Sequence, residues 1–132
     1  MQAIDSASVN RRAFRYFDRL KRVERFVQVH YSEDISRKTV AEVAALEEKY
    51  FSTFFRRKTG VRFRDWLTLV RVSRAMALLR SRDHSISIVA SKAGFQTLRT
   101  FERAFKRCTG ITPRGYKKLA VDSLDQELSE AL

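Results

Sequence analysis

The chain holds one cysteine, one proline, four glycines and two histidines in 132 residues. A single thiol, Cys108, excludes an internal disulfide and a cysteine-based zinc site, and it fits a reducing compartment. Near a predicted helix end, this cysteine reads as a small half-buried residue rather than a redox sensor. His30 and His84 lie far apart and lack a Cys or carboxylate pattern at metal spacing, so no metal is expected. There is no Gly-rich phosphate loop, no Ser or Cys nucleophile arrangement and no paired carboxylate set. No catalytic residue and no cofactor are therefore expected, and a DNA-acting enzyme such as a nuclease lacks its ligands. Residues 1–10 have no apolar signal core, and no apolar run approaches membrane-spanning length. A cytoplasmic protein with no membrane partner is the expectation. Apolar and polar residues never alternate strictly, which argues against strands.

Negative charge is also scarce. Lys and Arg number 27 against 15 Asp and Glu, a net charge of +12. Four of those acids (Asp122, Asp125, Glu127, Glu130) crowd the last twelve residues, which carry no base, so residues 1–120 have a net charge of +16. A body that basic repels itself unless it meets a polyanion, and nucleic acid is the leading partner.

A helical period of 3.6 residues recurs throughout. The first helix is predicted from about Arg11 to Tyr31, with Leu20, Val23, Val27 and Tyr31 on one face. Ser36 caps a short helix ending near Ala44, and a second short helix runs from Glu48 to Lys58 and stops at Thr59-Gly60. A long helix follows, about Arg64 to Ser81, with Val72, Ala75, Met76 and Leu79 at core spacing. Ser85 caps a helix ending at Ala93-Gly94, and Thr97 caps one running to Cys108 before Thr109-Gly110. Thr112-Pro113 opens a closing turn or helix through Leu119. Leu124, Leu128 and Leu132 recur at four-residue spacing in the acidic tail, which is either helical against a neighbour or frayed. The expected fold is all-α, with seven helices and five regions: a flexible start (1–10), a first subdomain (11–62), a central helix (63–82), a second subdomain (83–120) and the acidic tail (121–132).

An internal repeat sharpens this. At a shift of 50 residues, Phe51, Phe55, Arg57, Thr59 and Gly60 meet Phe101, Phe105, Arg107, Thr109 and Gly110. At a shift of 49, Ser36, Val40, Ala41 and Ala44 meet Ser85, Val89, Ala90 and Ala93, with Ala45 opposite Gly94 and Leu46 opposite Phe95. The one-residue slip falls between the two short helices, where a turn absorbs it. Each half is a capped short helix, a tight turn and a second helix, the helix-turn-helix pattern. Between the repeated Phe positions the halves diverge: Lys49, Tyr50, Ser52 and Thr53 face Arg99, Thr100, Glu102 and Arg103. A common frame with different polar faces suits two modules reading different base sequences.

From about Arg22 to Leu119 the chain resembles the AraC/XylS family of transcription regulators. The resemblance rests on Val40, Ala41 and Ala44; on Phe55, Arg56, Arg57, Thr59 and Gly60; on Arg71, Val72, Ala75, Leu78 and Leu79; and on Ser87, Ile88, Ala90, Gly94 and Phe95. The fullest segment is Phe101, Arg103, Phe105, Lys106, Gly110, Ile111, Pro113 and Tyr116. It implies two helix-turn-helix subdomains joined by the central helix, with both recognition helices entering successive major grooves of one duplex. Residues 1–21 and 120–132 offer no room for a sensory domain, so the chain looks like the stand-alone MarA/SoxS/Rob-like branch. That branch implies a DNA-bound monomer, no small-molecule effector, an activator role and contact with RNA polymerase. The chain departs from the family at Ala45, where Gly is usual and where Ala requires a backbone outside left-handed space. It departs also at Glu47-Glu48 in place of a Ser-type cap, at Lys49 for a Trp-like residue and at Thr53 for Arg.

The expected base contacts are Arg99 and Arg103, one turn apart on one face, with Thr100 and Gln96. Arg binds guanine O6 and N7 bidentately, discriminating by roughly 1–3 kcal/mol. The bland alternative for both is a phosphate contact or a solvated face. Glu102 either accepts from cytosine or, better, pairs with a neighbouring Arg. In the first unit Lys49, Tyr50 and Thr53 are the base candidates, with Tyr50 packing on Phe54 as the alternative. Arg56, Arg57, Lys106, Arg107, Arg114, Lys117 and Lys118 are read as phosphate anchors. Phe51, Phe55, Phe101, Phe105 and Trp66 sit at core spacing and are assigned to packing. A competing function is an interaction protein, in which the helix-turn-helix pair binds a polymerase subunit or another regulator and DNA is secondary. Glu47-Glu48 and the Leu-spaced acidic tail support it.

Overall fold

The computed structural model describes residues 3–131, which among them form a short 3-10 turn (Ser6–Ser8), eight α-helices and no strand. The helices are α1 (Arg12–Tyr16), α2 (Asp18–His30), α3 (Arg37–Val43), α4 (Glu48–Thr59), α5 (Phe63–Leu79), α6 (Ile86–Lys92), α7 (Leu98–Thr109) and α8 (Pro113–Ala131). The chain divides into two compact units, Ile4–Val70 and the region from Arg71 onward. The boundary falls inside α5, which supplies Trp66 and Leu67 to the first core and Val72, Ala75 and Leu79 to the second.

The expected first helix is two. Phe17 takes an extended backbone (φ −100°, ψ 118°), ending α1 and opening α2. No Gly or Pro marks the break. Its cause is packing: α1 lies against α4 while α2 lies against α3. Phe14 stacks on Trp66 at 4.9 Å and meets Phe55 edge-on at 5.9 Å, whereas Phe17 meets Phe54 at 6.0 Å. Beyond the break, Leu20, Val23 and Val27 are fully buried, as their spacing requires.

Helix ends follow local chemistry. Ser36, Ser85 and Thr97 each accept the backbone N–H three residues on, at 3.0, 3.2 and 3.1 Å. Gly60 and Gly110 end α4 and α7 in left-handed backbone (φ 85° and 83°), each donating to the carbonyl four residues back. Thr59 and Thr109 place their hydroxyls against the Phe55 and Phe105 carbonyls at 2.7 and 2.8 Å. Thr112 accepts from Gly115 N at 3.1 Å with Pro113 in the first helical position. Helix α8 does not stop near Leu119; it continues through Ala131. Arg82, in the turn after α5, forms an ion pair with Asp125 on this continuation.

The first unit carries a strained turn. Ala45 lies at φ 56°, the left-handed conformation that Gly94 adopts (φ 99°) at the matching place. The expectation that alanine keeps the backbone out of that region is therefore wrong. The turn geometry is conserved across the repeat instead: Leu46 N donates to Ala41 O and Phe95 N to Ala90 O, both at 3.0 Å. An alanine held left-handed costs about 1–2 kcal/mol. Arg19 of α2 offsets part of this, donating to the Ala44 and Ala45 carbonyls at 2.8 and 2.9 Å, and Arg22 donates to Val43 O.

Candidate nucleic-acid interface

In each unit the second short helix buries its repeated Phe pair and turns the diverged residues outward. Phe51, Phe55, Phe101 and Phe105 are fully buried. Core packing is thus their role, with Trp66 beside the first pair. On α7, Arg99, Thr100, Arg103 and Lys106 are exposed, and Gln96 is exposed just before the helix. Thr97 not only caps α7 but donates its hydroxyl to Thr100 Oγ1 at 2.8 Å, which holds the Thr100 side chain at the start of the helix. Glu102 is exposed and makes no ion pair among the described residues, contrary to the expected pairing with an Arg. Arg99 and Arg103 likewise have no ion-pair partner among the described residues.

On α4, Lys49, Tyr50, Thr53, Arg56 and Arg57 are exposed. Tyr50 takes both expected parts: its ring lies 6.3 Å from that of Phe54, yet 54% of the residue remains exposed. The entrance to this helix differs from that of α7. Glu47 occupies the cap position without a side-chain hydrogen bond, and Glu48 faces Arg37 at 3.8 Å. Carboxylates suit the helix N-terminus, and Arg37 partly neutralises one of them.

The phosphate candidates divide. Arg114 and Lys118 are exposed, and Arg107 is half-buried. Lys117 is half-buried and donates its ammonium to the His84 carbonyl, tying α8 to the turn before α6. Tyr116 is tied nearby, its hydroxyl accepting from Arg80 Nε at 3.0 Å. His30 closes α2 against Glu33, and no group of three His, Cys, Asp or Glu side chains that could hold a metal occurs among the described residues. No helix there is long and apolar enough to cross a membrane.

The sequence reading missed the N-terminal segment. Ile4 and Val9 are buried in it, and Asn10 caps the far end of α4, its N–H donating to Thr59 O at 2.7 Å and its amide to Lys58 O at 3.3 Å. The apolar residues Ile4, Val9, Ala13 and Phe14 are its sequence trace, obscured by the polar residues between them.

Residues 40–119 match the family described as helix-turn-helix domain. The chain is 30% identical over 100 residues to the regulatory protein PocR of Salmonella typhimurium, covering 76% of this chain and 33% of that protein. It is 29% identical over 92 residues to the HTH-type transcriptional regulator YobQ of Bacillus subtilis, covering 70% of this chain and 38% of that one. The chain thus spans little more than a third of the length of these relatives. Among solved structures, the DNA-binding domain of AdpA, determined with a target DNA, is similar with a TM-score of 0.72 and 30% identity, covering 78% of this chain and 93% of that one. The C-terminal domain of AraT, a response regulator from Geobacillus stearothermophilus, is similar with a TM-score of 0.74 and 29% identity, covering 80% and 88%. Paired helix-turn-helix units, repeated frame and matched relatives together place this chain in the AraC-type helix-turn-helix family of transcription regulators.

Proposed function

We propose that the protein binds double-stranded DNA sequence-specifically as a monomer, setting α4 and α7 into successive major grooves, and activates transcription through contact with RNA polymerase. One observation carries the DNA reading: two matched helix-turn-helix frames turn outward faces that are basic and different, as two readers of two sequences require. Arg99 and Arg103 are the principal base readers, with Thr100 and Gln96 beside them. Lys49, Tyr50 and Thr53 read more weakly past an acidic entrance. Arg56, Arg57, Lys106, Arg107, Arg114 and Lys118 hold phosphates, while Lys117 acts first by bracing α8. Activation and the polymerase contact rest on the family resemblance.

Selection of duplexes from a random pool tests this reading. It predicts a motif of two half-sites about one helical turn apart, bound at least a thousandfold more tightly than random duplex at moderate salt. Equal affinity for random duplexes overturns it. Transcription from a promoter carrying the motif should rise on addition of the protein.

A second reading, an interaction protein with DNA secondary, is favoured by the exposed Leu124 and Leu128 on the acid-rich end of α8 (39% and 61% exposed). Regulation that survives Arg99→Ala with Arg103→Ala, and disappears when the chain is truncated after Ala120, would select it.

A further inference from the structure

Helix α1 and the residue before it carry three guanidinium groups, those of Arg11, Arg12 and Arg15. All three are exposed, and none has an acidic partner among the described residues. The nearest acids in the chain are engaged elsewhere: Asp5 accepts from Ala7 N, and Asp18 pairs with Lys21 at 3.5 Å. Ala13 and Phe14 face the core, so the three Arg residues share the outer side of α1.

This cluster has a fixed address. Asn10 bonds the last two carbonyls of α4, Lys58 and Thr59, so the chain enters α1 directly at the end of that helix. The same last turn of α4 carries Arg56, Arg57 and Lys58. The Lys58 ammonium lies 4.9 Å over the ring of Phe17, the residue that ends α1. Asn10 therefore brings the three cations at the start of α1 beside the last turn of α4, which carries three more. Like charges gathered without a counter-charge destabilise the free protein and are relieved by a polyanion.

We propose that Arg11, Arg12 and Arg15 form a phosphate-binding flank that carries the DNA contact of the first unit beyond the recognition helix. The inference rests on the DNA reading above and assigns a role to residues outside the matched region 40–119. The flank adds affinity and register, not base discrimination, because phosphates carry no sequence information directly.

The test compares wild type with the triple variant Arg11→Gln, Arg12→Gln, Arg15→Gln on a duplex selected by the wild-type protein. Gln keeps a polar side chain on the exposed face, and a thermal transition in Trp66 fluorescence no lower than that of wild type verifies the fold. Each lost phosphate contact flattens the slope of log K against log salt by about 0.9 and weakens binding roughly eightfold at 0.1 M salt relative to 1 M. The expected result is a slope flatter by about 1 to 3, loss of hydroxyl-radical protection at one end of the site only, and an unchanged preferred sequence. An unchanged slope overturns the proposal. So does a flatter slope with the full footprint retained, which is a general charge effect. A wild-type protein that selects no duplex defeats the DNA reading itself, and is seen before any variant is made.

Discussion

Gly60 and Gly110 close the two recognition helices with the same backbone, φ 85° and 83°, but different surroundings. A Cβ at Gly110 meets nothing within 4 Å, whereas at Gly60 it comes within 2.9 Å of the Ser8 carbonyl oxygen. Replacing either by Ala forces an L-residue into left-handed space, at about 1–2 kcal/mol. The lower entropy of the unfolded chain returns about 0.4–1 kcal/mol. Gly110→Ala should therefore destabilise by about 0.5–1 kcal/mol. Gly60→Ala must in addition displace backbone that Val9 and the two Asn10 hydrogen bonds hold in place. Losing those two bonds adds about 1–2 kcal/mol. Trp66, the single tryptophan, lies in the first core and reports that unit, while far-UV circular dichroism follows all helices. Gly60→Ala should lower the Trp66 transition by roughly 5–10 °C more than Gly110→Ala lowers the transition of its own unit. Adding Asn10→Ala to Gly60→Ala should give less than the sum of the two single effects, because both act on one docked segment. Equal losses at the two glycines, or strict additivity with Asn10→Ala, would refute the docking of the N-terminal segment on α4.

Ala45→Gly should stabilise the first unit by about 0.5–1 kcal/mol in urea melts, since the left-handed strain it removes outweighs the unfolded-state entropy it returns; destabilisation would mean the turn is not strained. Arg19→Ala should destabilise the same unit by about 1.5–3 kcal/mol, because two carbonyls at the α3 end lose a charged donor. Arg103→Ala should narrow the affinity gap between the selected duplex and one mutated in the second half-site by about 1–3 kcal/mol, measured by competition at fixed salt, and Arg99→Ala likewise. Lys118→Ala should weaken both duplexes equally and flatten the salt slope by about 0.9; a change in the preferred bases would contradict its assignment to phosphate.

The repeat made most of the frame legible. Ser36, Ser85, Thr97, Gly60 and Gly110 act through contacts within a few residues, so their types and spacing were enough to place α3, α4, α6 and α7. Three features were not fully legible, each for a physical reason. The break at Phe17 comes from two packing demands on one segment, and Phe has no local signature for a kink. The left-handed Ala45 violates its own residue preference, and the donor that supports it, Arg19, stands 26 residues away in sequence. The reach of α8 to Ala131 was only half legible: the Leu124 and Leu128 spacing left a helix or a frayed end open, and no helical period announces the Arg82–Asp125 pair. On the outward faces the sequence supplied residue types and sides correctly, yet not their engagements. Lys117 was read as a phosphate anchor, and its ammonium is bound to the His84 carbonyl; Glu102 was read as accepting from cytosine or pairing with an Arg, and it makes no ion pair among the described residues.

These differences separate the two units by how each is held. In the second, α7 is set by its own ends: Thr97 caps its start and Gly110, in open space, its finish. In the first, Glu47 gives no side-chain cap. The turn before α4 leans on Arg19 and its far end on Asn10, across 26 and 48 residues. Both props precede residue 40, outside the stretch that carries the family frame. A frame supported from outside itself can be adjusted without altering the residues that face outward. Changes at Arg19, Asn10 or Phe17 would loosen α4 without removing any of the caps that set α7. The repeat thus supplies two copies of one scaffold, and the unrepeated N-terminal segment makes the first copy a separately adjustable one.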